Sequence, residues 1–266
     1  MQLARSTYYY QPKGRVCKDS DTSILERIQK MLAEFPQYGK KRVHAQLRRD
    51  GLEINHKRVE RIMQKNELTQ KRKKRFKVYT TDSNHDYPIY PNLIKNLPPG
   101  RLNQVWVSDL TYIRLGLGFV YLAVILDAFS RKVIGYAFSE RITKELAIAA
   151  LEMAIQTRQP SKGCIHHSDR GVQYASLDYV DVLRAHDFQI SMSAKGNPYD
   201  NAKAESFMKT LKVEEVYMAD YENFEEVVEN VSCFLEGVYN KKRLHSSLGY
   251  IPPDEFEAEL LEKLAS

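Results

Sequence analysis

Cysteine is scarce in this chain of 266 residues, and its three cysteines lie far apart. Cys17, Cys164 and Cys233 form an odd set without any C-x-x-C pair, so neither a disulfide framework nor a zinc finger is indicated. Cys164 stands close to His166 and His167, but adjacent residues on a strand point to opposite faces of a sheet. We therefore expect no metal site there, and the cysteine usage fits a reducing cytoplasm.

Long apolar segments are also missing from the sequence. No run of eighteen apolar residues occurs, and the first residues lack the apolar core of a signal peptide. Internal repeats and low-complexity segments are absent as well. These absences argue against a membrane protein, so we expect a cytoplasmic location and no membrane partner.

Positive charge is concentrated in the first third of the chain. The whole sequence has 40 Lys and Arg against 34 Asp and Glu, a formal net charge of +6. Residues 1–80 hold 21 cations and 8 acids, or +13, which leaves 19 cations, 26 acids and −7 for the remainder. A basic segment joined to a slightly acidic one is typical of a DNA-binding module attached to a second domain. An ordinary lysine-rich surface is the alternative.

Residues 22–66 have the pattern of three short helices. Apolar residues recur at helical spacing in each of them, and Pro36 and Gly51 stand in the two breaks. Asn55 is the expected N-cap of the third helix. The inward residues of that helix are Val59, Ile62 and Met63, and its outward residues are His56, Lys57, Arg58, Arg61 and Lys65.

Short helices with tight turns and a basic last helix resemble a helix-turn-helix domain. In such a domain the last helix enters the major groove, so we expect Lys57, Arg58 and Arg61 to contact DNA. A small helical bundle with a charged solvent face would show the same pattern.

A cationic segment follows these helices. Residues 71–77 carry six cations in seven positions, and residues 82–100 contain several Pro and Asn residues, as linkers do. Like charges at this density repel one another unless phosphates or acids neutralise them. We therefore expect a basic linker over 71–100 that contacts the DNA backbone, although a merely solvated linker would have this composition too. The expected contacts are Lys71, Arg72, Lys73, Lys74 and Arg75.

The rest of the chain alternates between strand and helix patterns, as an α/β fold does. Strands are predicted at 104–114, 119–127, 132–139, 164–168 and 188–192, and helices at 143–158, 176–186, from 200 onward and at 222–240. The first three strands follow one another through short turns and form an antiparallel meander. The helix after them crosses over, so the fourth strand should lie parallel to the first.

This order of elements predicts an RNase H-like core, with a mixed five-stranded sheet and flanking helices. We place that core at 101–220, after a small all-α domain at 1–70 and the linker at 71–100. Residues 221–266 are predicted as a C-terminal helical extension that packs outside the core.

Three acidic residues stand where unpaired carboxylates are costly. Asp109 interrupts an apolar strand pattern, Asp169 ends a short strand, and Glu205 lies early in a helix, with 35 residues between the last two. A buried ionised carboxylate is usually paired, hydrogen-bonded or bound to a cation. Parallel pairing of the first and fourth strands would place the aspartates side by side, and the helix would bring Glu205 across from them. Three hard oxygen ligands suit Mg²⁺, so these residues predict phosphoryl transfer on nucleic acid.

Other polar residues near these three have simpler interpretations. Asp127 begins a hairpin turn and is expected to be a turn former or a partner of Arg131 rather than a ligand. Asp200 precedes a helix and is most simply its N-cap. His167 could shape a metal site, and a hydrogen-bonded core histidine is an equal alternative.

Five segments in series carry a family resemblance. They are WVSDLTY at 106–112, DAFSRKVIG at 127–135, HSDRGVQY at 167–174, SMSAKGNPYDNAKAESF at 191–207 and RLHSSLG at 243–249. In this order and spacing they resemble the motif set of IS3-family insertion-sequence transposases, from about residue 8 to the C-terminus. The resemblance implies a bacterial, nucleoid-associated protein whose core is similar to that of retroviral integrases.

This resemblance implies a DNA transposase of the DDE type. Asp109, Asp169 and Glu205 would be its catalytic residues and would bind two Mg²⁺ ions, for which Mn²⁺ can substitute. Water would nick the transposon end, and the released 3′-hydroxyl would then attack target DNA in the same site. Lys209 and Lys212, at +4 and +7 from Glu205, share its helix face and would grip phosphates of the DNA end. An intrahelical pair between Glu205 and Lys209 is the alternative.

The expected partners are double-stranded DNA, as terminal inverted repeats and as target, and further copies of the chain on that DNA. The sequence lacks the His-His and Cys-x-x-Cys module of retroviral integrases. It also lacks the helix-turn-helix and leucine-zipper segment that the first reading frame encodes in the IS3 pattern. We therefore expect a second-frame product, which acts alone, with the upstream-frame protein or as a fusion with it. The carboxylates themselves would equally support a nuclease of the same fold, and a DNA-binding regulator without catalysis is a further alternative.

Overall fold

The computed structural model describes residues 19–69, 86–194 and 201–265. The chain divides into two compact units, Met1–Arg72 and Lys73–Ser266. Within the described residues, no helix combines the length and the apolar character that crossing a bilayer requires.

The N-terminal unit contains the three predicted helices, α1 (Asp21–Glu34), α2 (Lys40–Arg49) and α3 (His56–Lys65). Ser20 and Asn55 cap α1 and α3, because their side-chain oxygens accept hydrogen bonds from the amides of Ser23 (3.2 Å) and Lys57 (2.9 Å). The predicted cap at Asn55 is confirmed. The buried residues between the helices include Ile24, Ile28, Val43, Leu47, Val59, Ile62 and Met63.

The second unit is built on a mixed sheet of five strands. They are β1 (Val105–Arg114), β2 (Phe119–Asp127), β3 (Val133–Ser139), β4 (Ile165–Ser168) and β5 (Gln189–Met192). Their order across the sheet is β3-β2-β1-β4-β5. β2 pairs antiparallel with both β1 and β3, whereas β4 lies parallel to both β1 and β5. The predicted meander and the parallel crossover strand are confirmed.

Helices cover both faces of this sheet. They are α4 (Lys144–Arg158), α5 (Val172–Ala175), α6 (Leu177–Ala185), α7 (Ala202–Leu211), α8 (Phe224–Cys233) and α9 (Pro253–Ala265), with π-helical turns at Lys212–Val216 and Phe234–Asn240. Side chains alternate along β1, so Val105 and Val107 pack with α7 and α8, while Trp106 packs with α4 and α6. Trp106 is fully buried.

The close approach of α4 to β3 explains Gly135 in the middle of a strand. A Cβ at this position would lie 2.3 Å from the carbonyl oxygen of Ala150 and 2.7 Å from the methyl group of Ala154. Backbone atoms of a packed helix have little room to move aside for an added methyl group. Glycine is therefore required for α4 to pack at this distance from the sheet.

The segment 222–240 departs from its prediction. It forms α8 followed by a π-helical turn rather than one continuous α-helix. The expectation that it packs outside the core is wrong, because its apolar side joins the same hydrophobic cluster as β1, β2 and α7. Helix α7 has ten residues and is about 15 Å long, too short to cover this face of the sheet alone. The residues that complete the cover are Val227, Val231, Phe234, Leu235 and Tyr239.

Candidate active site

Two strands bring Asp109 and Asp169 to neighbouring positions. β1 and β4 are parallel, with Val107 opposite His167. The two aspartates follow two residues later on each side, and residues two apart on a strand face the same way. Their carboxylates therefore emerge side by side where β4 ends.

Helix α7 contributes Glu205 from its first turn. The side-chain amide of Asn201, at the N-cap of α7, donates to the carbonyl oxygen of Ser108 (3.0 Å). This hydrogen bond ties the start of α7 to the residue before Asp109. Glu205 is exposed on the helix, whose opposite side packs on β1. The buried residues of α7 are Ala204, Phe207, Met208 and Leu211.

The pKa of Asp109 reflects the proximity of the other two carboxylates. Burial raises this pKa most, and the charges of Asp169 and Glu205 raise it further, to about 8. The backbone amide of Leu110, which donates to the Asp109 carboxylate (2.8 Å), and the charge of Lys212 act in the opposite direction. The three predicted residues therefore share one electrostatic environment, in which the ionised form of Asp109 is disfavoured.

The turn after β4 holds the carboxylate of Asp169 in place through a backbone hydrogen bond. Its carboxylate accepts a hydrogen bond from the backbone amide of Gly171 (2.9 Å). A Cβ on Gly171 would lie 3.0 Å from that carboxylate oxygen and 3.1 Å from the side-chain oxygen of Gln173. Glycine at this position therefore leaves room for the carboxylate in the turn.

The donor set consists of carboxylate oxygens, which are the ligands that Mg²⁺ and Mn²⁺ prefer. Across residues 19–69, 86–194 and 201–265, no group of three or more His, Cys, Asp or Glu side chains is arranged to hold a metal ion. The chemistry of the donors still fits a divalent cation, because a cation among the carboxylates would offset the charges that raise the pKa of Asp109.

Lys209 and Lys212, which follow Glu205 along the helix, differ in their surroundings. Lys209 is exposed, whereas Lys212 is half-buried, with its ammonium 4.3 Å from the ring centre of Tyr112. Burial lowers the pKa of Lys212, and the nearby charge of Asp109 opposes that shift. Lys212 therefore lies near the carboxylates, as its spacing predicts, while its stacking on Tyr112 has no signal in the sequence.

A cavity of about 460 Å³ lies beside the start of α7, next to residues 92–99. Lys203 lines it, and its ammonium donates to the carbonyl oxygen of Ala128 (2.7 Å). Burial, followed by the charge of Arg131, lowers the pKa of Lys203 to about 8. Sequence reasoning did not single out Lys203 or Asn201, although both fall within the segment 191–207 that carried part of the resemblance.

Asp127 is fully buried and has a different environment from Asp109. Its carboxylate accepts hydrogen bonds from the backbone amides of Asn103 (2.7 Å), Phe129 (2.8 Å) and Ser130 (3.2 Å). Burial raises its pKa, and these three hydrogen bonds oppose the shift. The interpretation of Asp127 as a turn former is therefore confirmed.

His167 and Asp200 are the two remaining polar candidates. His167 is fully buried, and its ring nitrogens lie 2.8 Å from the hydroxyl of Ser191 and 3.0 Å from that of Ser193. The structure thus favours the hydrogen-bonded core histidine over a residue that shapes a metal site. The predicted N-cap at Asp200 falls outside the described residues.

The cations of α3 belong to the N-terminal unit. Lys57 and Arg61 are exposed as predicted, whereas Arg58 is half-buried. Arg58 and Arg61 donate to the carboxylate of Asp21 at the start of α1, at 2.7 and 2.9 Å, and Arg58 also donates to the carbonyl oxygen of Asp19 (2.9 Å). The outward orientation predicted for Arg58 is therefore corrected by these contacts with α1. The predicted contacts Lys71, Arg72, Lys73, Lys74 and Arg75 fall in a segment that the structure leaves undescribed.

Family models match most of the chain. A model of an HTH-like domain matches residues 18–76, and two models of an integrase core domain match residues 99–198 and 186–253. The predicted combination of a helix-turn-helix domain with an integrase core is confirmed.

Three curated proteins show the same relationship over most of their length. The chain is 39% identical over 260 residues to the insertion element IS600 uncharacterized 31 kDa protein of Shigella sonnei, covering 96% of this chain and 94% of that protein. It is 38% identical to transposase InsF for insertion sequence IS3A of Escherichia coli, covering 83% and 76%. It is also 38% identical to the transposase for insertion sequence element IS904 of Lactococcus lactis, covering 88% and 93%.

Proposed function

The chain belongs to the IS3 family of insertion-sequence transposases, and we propose that it cleaves transposon ends and joins them to target DNA. The observation that carries this proposal is the environment of Asp109, where the charges of Asp169 and Glu205 raise the pKa of a half-buried carboxyl. Carboxylates crowded in this way are typical of sites that bind divalent cations for phosphoryl transfer.

Asp109, Asp169 and Glu205 would hold Mg²⁺, with two ions per site and Mn²⁺ as a substitute. Bound Mg²⁺ supplies activation of the attacking oxygen and stabilisation of the leaving oxygen. The three carboxylates come from β1, from the turn after β4 and from α7, and the hydrogen bond from Asn201 to Ser108 holds α7 against β1. Since no covalent enzyme intermediate is needed, the same residues would serve cleavage by water and attack by the 3′-hydroxyl.

DNA would be bound by both units of the chain. In the catalytic unit we propose that two lysines contact phosphates of the transposon end. They are Lys209, which is exposed, and Lys212, whose charge lies near Asp109. In the N-terminal unit we propose that α3 enters the major groove. Its proposed contacts, with those of the basic segment after it, are Lys57, Arg58, Arg61, Lys71, Arg72, Lys73, Lys74 and Arg75.

A joining assay tests the proposed function. A labelled oligonucleotide with the transposon end sequence is incubated with the chain, Mg²⁺ and a target plasmid. A transposase produces oligonucleotide joined to plasmid, whereas a nuclease of the same fold only shortens the oligonucleotide. Binding without either product would instead support the DNA-binding regulator.

The role of the two lysines is tested by the double variant K209A/K212A. It should lose crosslinking to end DNA and cleavage of that end, with little change in melting temperature. The control K162A/K263A removes two charges from exposed lysines elsewhere in the same unit. Equal losses in both variants would mean that net charge, rather than these positions, matters. Wild-type crosslinking with reduced stability in K209A/K212A would assign the lysines a structural role.

We further propose that the chain acts as a homo-oligomer on double-stranded DNA, in the cytoplasm at the bacterial nucleoid. Two transposon ends must be processed together for insertion, and each end needs a catalytic site. Light scattering of the chain with end DNA should therefore show a mass of at least two chains per complex. A complex with a single chain per DNA end pair would contradict this arrangement.

A further inference from the structure

A buried ion pair joins the C-terminal part of the chain to the region that follows α7. Arg243 donates two parallel hydrogen bonds to Glu214, with Nε 2.6 Å from one carboxylate oxygen and Nη2 2.7 Å from the other. Both side chains are withdrawn from solvent, with exposed fractions of 4% and 13%. Bidentate pairing of this kind fixes orientation as well as distance.

Further contacts hold the Arg243 guanidinium. It lies over the ring of Tyr239, 5.8 Å from the ring centre, and its Nη1 is 3.3 Å from Nε2 of His245. Its Nη2 is 3.5 Å from the hydroxyl of Thr210, which belongs to α7. Tyr239 in turn meets the edge of Phe207, also on α7, with 4.9 Å between ring centres. The arginine thus belongs to a buried assembly that includes two residues of the helix carrying the third carboxylate.

Glu214 lies in the π-helical turn Lys212–Val216, which continues directly from α7. The turn begins with Lys212, whose ammonium lies over Tyr112 of β1 and near the charge of Asp109. Helical residues are rigidly coupled over one or two turns, so an anchor at Glu214 restrains the rotation of the helix that precedes it. π-helical turns are rare and are frequent at functional sites.

We propose that Arg243 is a positioning residue for the reaction, a role that rests on the proposed transposase function. Its pair with Glu214 fixes the rotation of α7 and therefore the positions of Glu205 and Lys212 relative to Asp109. Buried ion pairs add little net stability, because desolvation offsets much of the attraction between the charges. What distinguishes this pair from Arg158–Glu257 is its attachment to the helix that carries Glu205. Arg243, which the carboxylate chemistry leaves unexplained, thereby gains a function.

Single and double variants separate positioning from stability. Arg243→Met or Glu214→Leu alone leaves one buried charge without its partner and should lower the melting temperature by on the order of 10 °C. R243M/E214L removes both charges and should melt within about 3 °C of the wild type. Its joining rate should still fall by about 100-fold, because a misplacement of about 1 Å has that effect.

Amide hydrogen exchange reports on the helix without relying on activity. In R243M/E214L the amides of α7 and of the π-helical turn should exchange about tenfold faster or more, while those of α4 stay protected. The control R158M/E257L removes another buried bidentate pair, which joins α4 to α9 instead. It should retain the wild-type joining rate and wild-type exchange in α7.

Wild-type exchange in α7 of R243M/E214L would overturn the positioning role, as would faster exchange with an unchanged joining rate. An equal loss of joining in the control pair would overturn it too. The exchange comparison decides whether Arg243 restrains α7 even if the wild-type chain neither cleaves nor joins DNA, a result that would contradict the proposed function itself.

Discussion

Asp109 on β1 and Asp127 at the end of β2 lie on adjacent strands of one sheet, and burial raises the pKa of both. The backbone compensates the two charges unequally. Three backbone amides donate to Asp127, whereas Asp109 accepts from the amide of Leu110 and faces the charges of Asp169 and Glu205. A buried aspartate is therefore no sign of catalysis by itself. The informative feature is a carboxylate whose ionised form is disfavoured by neighbouring carboxylates, as that of Asp109 is by Asp169 and Glu205.

The largest expected effect on activity comes from neutralising Asp109. Asp109→Asn should reduce cleavage and joining together by at least about 1000-fold, since several kcal/mol of transition-state stabilisation are lost with a metal ligand. DNA binding should persist, and the melting temperature should stay the same or rise, because a disfavoured charge is removed.

Asp169→Asn and Glu205→Gln should behave like Asp109→Asn, because all three carboxylates would hold the same Mg²⁺. The joining assay, gel-shift binding and thermal unfolding check these outcomes. Near-normal strand transfer in any one of the three variants would remove that residue from the proposed site.

Asp127 should show the opposite pattern, with a loss of stability and little loss of activity. Asp127→Ala leaves the amides of Asn103, Phe129 and Ser130 without their acceptor and should cost about 3 kcal/mol of unfolding free energy. Activity per folded molecule should remain close to that of the wild type. Urea unfolding measures the loss, with Asp181→Ala, at an exposed aspartate of α6 paired with Arg184, as the control. Loss of activity without loss of stability would make Asp127 functional and erase the contrast with Asp109.

Much of this contrast could be predicted from the sequence, because it depends on local patterns. Alternating apolar residues define β1, and the crossover rule makes β4 parallel to it, so Asp109 and Asp169 could be paired from sequence alone. The turn role of Asp127 follows from its place before a short hairpin turn. Each of these inferences uses information from residues close together in the chain.

The contacts that sequence reasoning missed join distant residues. Arg243 pairs with Glu214, Lys212 stacks on Tyr112, and these partners depend on how helices pack after the chain has folded. The π-helical turn after α7 was also missed, since apolar spacing does not distinguish it from an α-helix. Tertiary packing also made the segment 222–240 part of the core, because α7 alone leaves apolar surface on the sheet uncovered.

His166 on β4 extends the comparison to a buried base. Burial lowers its pKa to about 3, so the folded protein keeps it neutral while the unfolded chain takes up a proton near the usual value of about 6.5. Protonation of the unfolded chain therefore costs no stability above pH 6.5. As the pH falls from 6.5 toward 3, it lowers the free energy of unfolding progressively. The loss should reach about 2 kcal/mol by pH 5.

A variant at position 166 isolates this contribution. His166→Phe cannot titrate but keeps an aromatic ring against Tyr179, which lies 5.4 Å away between ring centres. Unfolding free energies of the wild type should therefore fall between pH 6.5 and 5 more steeply than those of the variant. Parallel pH profiles would mean that burial does not keep His166 neutral, and that this histidine does not contribute to the loss of stability in acid.

The smallest effect on stability is expected at Asp21, an exposed carboxylate whose pKa is lowered mainly by its hydrogen bond from Arg58. Exposed pairs contribute little to stability, so Asp21→Asn should hardly change the melting temperature. Its effect should appear in DNA binding, because Arg58 and Arg61 are released from Asp21 to contact phosphates. Affinity should rise, and the plot of log affinity against log salt should steepen by roughly 0.9 for each new contact.

Loss of any negative charge favours DNA binding, so Asp21→Asn needs a matched control. Glu60→Gln removes one negative charge from α3 itself, where Glu60 pairs with Lys40 rather than with the two arginines. If α3 binds DNA through Arg58 and Arg61, Asp21→Asn must increase both affinity and salt slope more than Glu60→Gln does. Equal increases would mean that the arginines contact α1 and solvent only, and α3 would then be the charged outer face of a helical bundle.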